Sequence, residues 1–401
     1  MADKPYSKIL ERLPVKSLLR FKCVCKRWRD EINTTFFITS HTRQVRINEP
    51  NSSTLIFRCL DYSSNEKRWW SRDIFSLDLQ SSSLEVKKLP HYYPSSYESS
   101  YYSSFNYAFV GSSNGLVCFR EKEYEPQYSI YNPATGIGYT LPKLYPNHQY
   151  SSQRYMMGFG YDFANDDYKI YDYKRHNKSG SLYSLKNNSW KIIEPPPPTR
   201  DVREVIRMVF SDNALYWICY PHPYYTSNAI NACVVSFDLG TEKYREPYIN
   251  LLSWANLSLV ELRGRLHFIK YNMYHTSLAK RPRIYKYNIR IWVMTNNNDG
   301  SNQLWVKLVD CISLKQCLQR ELRCSGSSHP SCYRPPRPCA YLENRREMLI
   351  DLGGIIMVQC DLSTGKVKKV EIRGLPIDGR HFVNPKYDLI PWISSFVSPC
   401  T

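Results

Sequence analysis

The segment Val235-Ser236-Phe237-Asp238-Leu239-Gly240-Thr241-Glu242-Lys243-Tyr244-Arg245 decides the fold class. Apolar and polar residues alternate before its polar turn at Asp238, and such alternation is the pattern of a half-buried β-strand. Aromatic and β-branched residues suit the pleated surface of a strand. Because a second strand follows the turn directly, the segment predicts a β-hairpin.

The same unit of strand, polar turn and strand occurs six times along the 401 residues. Its turn positions are Asp78, Asn132, Ser184, Asp238, Asp299 and Asp361, which lie 54, 52, 54, 61 and 62 residues apart. This spacing is close to the period of ~50 residues of kelch repeats, and one hairpin per period fits one propeller blade. Each small sheet must bury its faces on its neighbours. We therefore expect a mainly β protein with one kelch-like β-propeller domain over residues 46–401.

Residues 1–45 show a different, helical pattern. In the stretch LPVKSLLRFKCVCKRW, residues 13–28, apolar side chains recur at three- and four-residue spacing, which places them on one face of a helix. Pro14 suits a helix start, where its missing N–H costs nothing. Short helices of this size cannot bury their apolar faces on each other alone. The stretch therefore predicts a small helical module that binds a partner, and the alternative is an amphipathic helix packed on the following domain.

The same stretch resembles the second half of a plant F-box, the motif that docks substrate receptors onto the Skp adaptor of cullin-RING ubiquitin ligases. Its Leu-Pro, Leu-Leu-Arg-Phe and Val-Cys-Lys-x-Trp elements fall in the family's register. The residues before Ile9 depart from the usual Leu-Pro-x-Asp-Leu opening, so the resemblance implies an F-box over residues 1–45 that is atypical or shortened at its N-terminal part. The residues implied to contact the adaptor are Leu13, Pro14, Leu18, Leu19, Val24 and Trp28.

The following segment resembles the F-box-associated domain, type 1, of plant F-box proteins, including the branch of the S-locus receptors. The motifs that carry the resemblance are residues 111–118, GSSNGLVC; residues 131–135, YNPAT; residues 158–162, GFGYD; residues 166–169, DDYK; and residues 291–294, IWVM. Their Gly and Asn residues suit positive-φ turns, and their aromatic residues suit blade interfaces. The resemblance implies a non-catalytic substrate receptor of an SCF-type ligase that binds cullin and RING subunits through the adaptor.

Residue patterns for catalysis or for a cofactor are weak. Gly158-Phe159-Gly160 lacks the third glycine and the following helix of a phosphate-binding loop. The group Cys324, His329, Cys332 and Cys339 could form a zinc site, but it has no Cys-x-x-Cys pair and lies among prolines. We therefore expect no catalytic residue, no metal and no cofactor.

Charge and tyrosine content give the hints about a substrate. The formal net charge is +18, and residues 263–290 hold eight Lys or Arg without a carboxylate. Such a strip attracts an acidic protein or a phosphate backbone, or it is merely a solvated face. The segment of residues 92–107 carries several tyrosines among serines. Rigid amphipathic rings of this kind suit a contact surface, and the alternative is a flexible Ser-rich loop. The residues proposed to bind the substrate are Arg281, Arg283, Lys286, Tyr97, Tyr101 and Tyr102.

The location expected from the sequence is the cytoplasm, the nucleus or both. No run approaches the ~18 apolar residues of a membrane span, and the charged N-terminus has no apolar signal segment. Thirteen cysteines at irregular spacings indicate free thiols in a reducing compartment.

The function predicted is substrate recognition for an SCF ligase, with a protein substrate that is possibly acidic and no membrane partner. The alternative is a basic propeller that binds RNA or another anion and whose F-box no longer recruits a ligase.

Overall fold

The computed structural model describes most of the chain, apart from both ends and several connections. The described ranges are residues 5–48, 54–59, 61–63, 68–70, 74–81, 83–90, 107–121, 127–144, 155–174, 179–196, 206–219, 231–252, 256–276, 284–296, 303–313, 336–342, 346–354, 356–375 and 387–399. Within these ranges the chain forms an N-terminal helical layer followed by six sheets of four or five strands and one small two-stranded sheet.

The helical layer contains four short helices in the described residues. They are α1 (Pro5–Leu10), α2 (Val15–Phe21), α3 (Lys26–Ile32) and α4 (Thr35–Asn48). Pro14 immediately precedes α2 with a φ of −58°, which confirms its predicted place at a helix start.

The strands follow in chain order. They are β1 (Thr54–Cys59), β2 (Asp61–Ser63), β3 (Arg68–Trp70), β4 (Ile74–Asp78), β5 (Val86–Lys88), β6 (Tyr107–Ser113), β7 (Leu116–Glu121), β8 (Tyr128–Asn132), β9 (Ile137–Thr140), β10 (Tyr155–Asp162), β11 (Asp167–Lys174), β12 (Ser179–Ser184), β13 (Ser189–Ile193), β14 (Ile206–Arg207), β15 (Val209–Ser211), β16 (Ala214–Cys219), β17 (Asn231–Asp238), β18 (Tyr244–Leu252), β19 (Asn256–Leu262), β20 (Arg265–Thr276), β21 (Ile284–Asn296), β22 (Gln303–Ser313), β23 (Pro336–Tyr341), β24 (Glu347–Leu352), β25 (Ile356–Asp361), β26 (Val367–Val370) and β27 (Tyr387–Trp392).

The six larger sheets are the blades of a six-bladed propeller, which confirms the predicted fold class. Blades 2 to 6 use β6–β9, β10–β13 with β14, β15–β18, β19–β22 and β23–β26, while blade 1 has the order β27-β1-β4-β5. The innermost strands contact one another around the ring. β27 pairs antiparallel with β1, Thr54 opposite Trp392, so a late strand of the chain completes the first blade and closes the ring.

The predicted hairpins are confirmed, since each of the six is the outer strand pair of one blade. They are β4–β5, β8–β9, β12–β13, β17–β18, β21–β22 and β25–β26. Turns with positive φ also occur where Asn and Gly were predicted to supply them, for example at Asn114 (47°) and Gly115 (86°). The propeller core consists of six apolar clusters between successive blades, such as the one containing Tyr171 and Trp217.

The propeller has two different faces. The face that we call the helix face carries the short turns within blades, including those at Asn114-Gly115 and Asn132–Gly136, and the α-helices pack on this side. At the other end of the strands lies the distal face, where β20 ends and β21 begins. Blade 5 has the longest strands described, since β20 contains 12 residues and β21 contains 13. At ~3.3 Å per residue they span about 40 Å, so their hairpin extends beyond β19 on the distal side.

A buried lysine joins blades 3 and 4. The Lys169 ammonium group donates to the Asp162 carboxylate at 2.8 Å, to Glu242 at 3.0 Å and to the Leu239 carbonyl at 2.7 Å. Burial alone would raise the pKa of both carboxyl groups. Hydrogen bonds from Lys169 and Asn165 and the charge of Lys169 instead lower the pKa of Asp162, and hydrogen bonds and charge from Lys191 and Lys169 lower the pKa of Glu242. The two carboxylates therefore stabilise the folded state only while they are ionised.

We expect acid to weaken this junction. Because both folded pKa values lie below the unfolded ones, the stabilisation is present above about pH 5 and is lost as the pH falls through the folded values. The melting temperature should therefore fall between about pH 5 and pH 3 in the wild type, and less steeply in Lys169→Met. Lys243→Met, on an exposed neighbouring position, is the control and should keep the wild-type slope. Equal slopes for all three proteins would show that Lys169 does not hold the carboxylates ionised.

Candidate functional site

The helical layer has its own apolar core on the helix face. Leu10, Val15, Leu18, Ile32 and Phe37 are buried in it. The sixth buried member of this core comes from far along the chain. It is Phe396, which follows β27 by a few residues and lies beneath the helices.

A tail after β27, residues 393–399, carries Phe396 from the propeller to the helices. Trp392 donates from Nε1 to the Gly115 carbonyl at 2.8 Å, and the Ser395 hydroxyl donates to the Asn114 carbonyl. The Asn132 amide donates to the carbonyls of Ser395 at 3.0 Å and Val397 at 2.7 Å. Two turns of blade 2 therefore hold the tail.

Aromatic and charged groups of the helices surround the Phe396 ring. His41 stacks on Phe37 and meets Phe396 edge to face, with centroids 5.7 Å apart, and the Lys22 ammonium lies 4.8 Å from the centre of the Phe396 ring. His41 Nε2 also lies 2.9 Å from the Leu13 carbonyl oxygen. Burial lowers the pKa of His41, so the imidazole is neutral at physiological pH.

The helices and the propeller are therefore not independent. The core of the helical module is not separate from the rest of the chain, because Phe396 completes it. In the sequence, Phe396 is visible only as an apolar residue that follows the last of the six predicted hairpins. No local periodicity relates it to the helices, however, since more than 350 residues separate Phe396 from Phe37.

The residues predicted to contact the adaptor lie at different depths. Leu18 is fully buried in the helical core, while Leu13, Leu19 and Trp28 are partly buried and Pro14 is exposed. Val24, between α2 and α3, is 62% exposed. Sequence reasoning did not single out Ile9 and Phe36, which are even more exposed. A leucine without exposed surface can act on a partner only by shaping the helices, whereas Val24 can touch one.

The described residues of the predicted basic strip are spread along blade 5. Arg263 and Arg265 lie at the turn between β19 and β20 on the helix face, Lys270 pairs directly with Arg290 in the middle of blade 5, and Lys286 pairs with Tyr274 near the distal end. The other proposed substrate contacts lie outside the described residues. They are Arg281, Arg283, Tyr97, Tyr101 and Tyr102.

The zinc hypothesis that the sequence disfavoured places one of its four residues in the described part of the chain. Cys339 is buried in β23, where burial raises the pKa of its thiol, while Cys324, His329 and Cys332 fall outside the described ranges. Among the residues described, no group of three or more His, Cys, Asp or Glu is placed to hold a metal ion. None of the described helices combines the length and apolar character needed to cross a membrane.

Comparison with known proteins matches both parts of this architecture. The family model of the F-box associated beta propeller domain matches residues 62–328, which is more than half of the chain. The chain belongs to this family. A second model, the F-box domain, matches residues 2–37 and therefore includes the segment before Ile9 that departs from the usual opening.

Curated relatives of this F-box associated propeller protein are F-box proteins of Arabidopsis thaliana. F-box/kelch-repeat protein At3g23880 is 27% identical over 66% of this chain and 70% of its own length. F-box protein At3g07870 is 24% identical over 92% of this chain and 86% of its own length. F-box protein At1g11270 is 24% identical over 59% and 71%. The combination of an F-box with this propeller implies a substrate-receptor role in an SCF complex, and the F-box implies a Skp-type adaptor as partner.

Proposed function

We propose that this protein is the non-catalytic substrate-recognition subunit of an SCF-type ubiquitin ligase. The α-helices bind the Skp adaptor, and through it cullin and RING subunits, while the propeller binds the protein to be ubiquitinated. The observation that carries the proposal is that Ile9, Val24 and Phe36 expose large apolar side chains on a helical module whose core is already filled. Large exposed apolar residues on a well-packed module are typical of protein interfaces.

The tail gives this receptor a fixed geometry. Because Phe396 lies in the helical core and Asn132 holds the tail, the helices are attached to blade 2 on the helix face. We propose that the substrate binds on the distal face, which the strands place away from the helices. Arg281, Arg283, Lys286, Tyr97, Tyr101 and Tyr102 remain predicted substrate contacts.

Two finer assignments belong to the same proposal. We place the protein in the cytoplasm, the nucleus or both, where SCF ligases need their receptors. We also assign it to the S-locus-like branch of the family, on the motifs at residues 111–118, 131–135, 158–162 and 291–294. Binding of an RNA by a basic propeller is the competing function, and nuclease-sensitive complexes that contain no adaptor would support it.

The variant Val24→Asp should separate adaptor binding from folding. A charge at an exposed apolar contact must be desolvated when the adaptor binds, so we expect adaptor co-purification to fall by roughly tenfold or more. The melting temperature should stay within about 1 °C of the wild type, because exposed positions contribute little to stability. Pull-down with purified adaptor and thermal denaturation measure the two quantities.

Ile192→Asp is the matched control, since Ile192 is an apolar residue on the outer strand β13 of the propeller and is 80% exposed, more than Val24. It should leave adaptor binding unchanged. Unchanged binding in Val24→Asp would contradict the contact proposed for Val24. A wild-type protein that binds no adaptor but co-purifies with nuclease-sensitive complexes would contradict the receptor function. Leu18→Ala cannot make this distinction, because it removes a buried core residue.

A further inference from the structure

One histidine lies inside the core of the helical layer. His41 of α4 is fully buried, and it is the only histidine in residues 1–48. Its ring stacks on Phe37 of the same helix and meets Phe396 of the tail edge to face. His41 therefore belongs to the contact that attaches the helices to the propeller.

The surroundings of His41 decide which ring nitrogen carries the proton. Nε2 lies 2.9 Å from the Leu13 carbonyl oxygen, and a carbonyl oxygen can only accept a hydrogen bond, so Nε2 is the protonated nitrogen and donates. Nδ1 is then unprotonated and buried, and within the described part of the chain it has no hydrogen-bond partner. A second proton on the ring would have to bind Nδ1, inside an apolar core and without an acceptor among the described residues.

The helical layer is already strongly positive. Residues 5–48 contain ten Lys or Arg and three Asp or Glu, a difference of +7. The charged groups of the elements that form this core are Lys8, Glu11 and Arg12 of α1 and the turn after it; Lys16, Arg20 and Lys22 of α2 and its C-terminal end; Lys26, Arg27, Arg29, Asp30 and Glu31 of α3; and Arg43 and Arg46 of α4. Residues 393–399 of the tail contain no charged side chain. The net charge of the layer therefore opposes a further positive charge at His41.

Two of these charged groups bear on the His41 ring in opposite directions. Burial lowers the pKa of His41 below its ordinary value of 6.5, and the hydrogen bond to Leu13 and the charge of Glu11 offset this only in part. The Lys22 ammonium lies 4.8 Å from the centre of the Phe396 ring, whose neighbour is His41. An imidazolium at position 41 would therefore share the Phe396 ring with a second cation.

We propose that His41 is a proton-sensitive contact that regulates the adaptor site: when its imidazole is protonated, the helices loosen from Phe396 and adaptor affinity falls. This inference rests on the receptor function proposed above and adds regulation to its adaptor-binding helices. The direction follows from the cost of a buried charge without a hydrogen-bond partner. Loosened helices admit water to Nδ1, so protonation favours the loosened state.

The effect should appear as the pH falls from 7.5 to 5.5. Because the folded pKa of His41 lies below the unfolded value near 6.5, the stabilisation is fully present above about pH 6.5 and is lost as the pH falls from there through the folded value. Histidine is the side chain that ordinarily titrates in this range, and residues 5–48 contain no other. A pH dependence of the helices in this range is therefore assigned to His41.

Hydrogen exchange of the full chain tests the inference without an adaptor. After correction for the intrinsic pH dependence of exchange, we expect α1–α4 of the wild type to exchange roughly threefold or more faster at pH 5.5 than at pH 7.5, while the blades keep their protection. In His41→Gln the side-chain amide can still donate to the Leu13 carbonyl but does not titrate. The ratio of the two exchange rates should therefore be close to one in this variant.

Adaptor binding is measured at the same two pH values with one preparation of purified adaptor. The affinity of the wild type should fall by roughly threefold or more at pH 5.5, and that of His41→Gln should fall less. Because both proteins bind the same adaptor, their difference excludes titration of the adaptor itself. Weaker binding at pH 5.5 by the same factor in both proteins would overturn the inference.

His267→Gln is the matched control. His267 is also buried, in β20 of blade 5, and burial lowers its pKa to about 4, so it does not titrate between pH 7.5 and pH 5.5. Its replacement should leave the pH dependence of the helices at the wild-type value. Equal protection of α1–α4 at the two pH values in the wild type would overturn the inference whether or not the variants fold.

The two measurements separate this inference from the proposed function. A wild type that binds adaptor equally well at both pH values would refute regulation by His41 and leave the receptor function standing. A wild type that binds no adaptor at pH 7.5 would refute the receptor function instead. Hydrogen exchange would then still decide whether the proton on His41 controls the packing of the helices on Phe396.

Discussion

Replacing Gly115 by alanine should destabilise the protein by about 3 to 5 kcal/mol, since it combines backbone strain with a clash in a packed site. Gly115 has a φ of 86°, and a Cβ placed there would lie 2.9 Å from the Ser395 backbone nitrogen and closer still to the Ser395 side chain. Chemical denaturation would measure the loss. Because the clash is with the tail, adaptor binding should decline as well.

Gly264→Ala isolates the strain from the clash. Gly264 has a similar φ of 72° in the corresponding turn of blade 5, but a Cβ there meets nothing within 4 Å. We expect it to cost only about 1 to 2 kcal/mol, the strain of a left-handed alanine. Equal losses for the two variants would mean that the tail does not pack against Gly115 as the structure shows.

Truncating Phe396 to alanine should release the helices from the propeller. The change removes a ring from a core that also contains Leu18 and Phe37, and large-to-small changes of this kind cost about 3 to 5 kcal/mol. The loss should fall on the helical layer, because the ring-closing pairs of β27 with β1 end at Trp392. Hydrogen exchange should therefore speed up in α1–α4 while the blades stay protected, and adaptor affinity should fall.

Phe163→Ala removes the same ring from a 47% exposed position in a turn of blade 3. It should leave exchange in the helices and adaptor affinity at wild-type values. If Phe396→Ala instead left the helices as protected as before, the helical layer would be stable without the tail.

Much of the fold could be predicted from the sequence because it is locally encoded. Each outer hairpin, such as the one turning at Asp238, carries its own alternation and its own polar turn. The recurrence of these hairpins every 52 to 62 residues then predicts blades. The start of α2 at Pro14 is equally local, since it depends on one residue and its fixed φ.

The features that the sequence did not reveal depend on contacts between distant residues. The sequence indicates Asn132 as a turn residue, but its side chain donates hydrogen bonds to Ser395 and Val397, which lie more than 260 residues further along the chain. The ion pairs of Asp388 with Arg58, Arg207 and Arg337 join β27 to β1, β14 and β23, and none of these residues stands in a sequence motif of its own. The composition of residues 263–290 shows their positive charge, but not that strand pairing places the described ones along strands about 40 Å long.

The tail also sets an order of events during synthesis. The helices leave the ribosome first, but the residue that fills their core, Phe396, is made after the whole propeller, and the strand that closes the ring immediately precedes it. Domains generally fold as they emerge, whereas we expect this helical module to gain its full stability only when a distant segment has been made. A chain that stops before β27 would contain every residue of the F-box match but would lack Phe396, which completes the helical core. We therefore expect fragments from interrupted synthesis to compete poorly with the full chain for the adaptor.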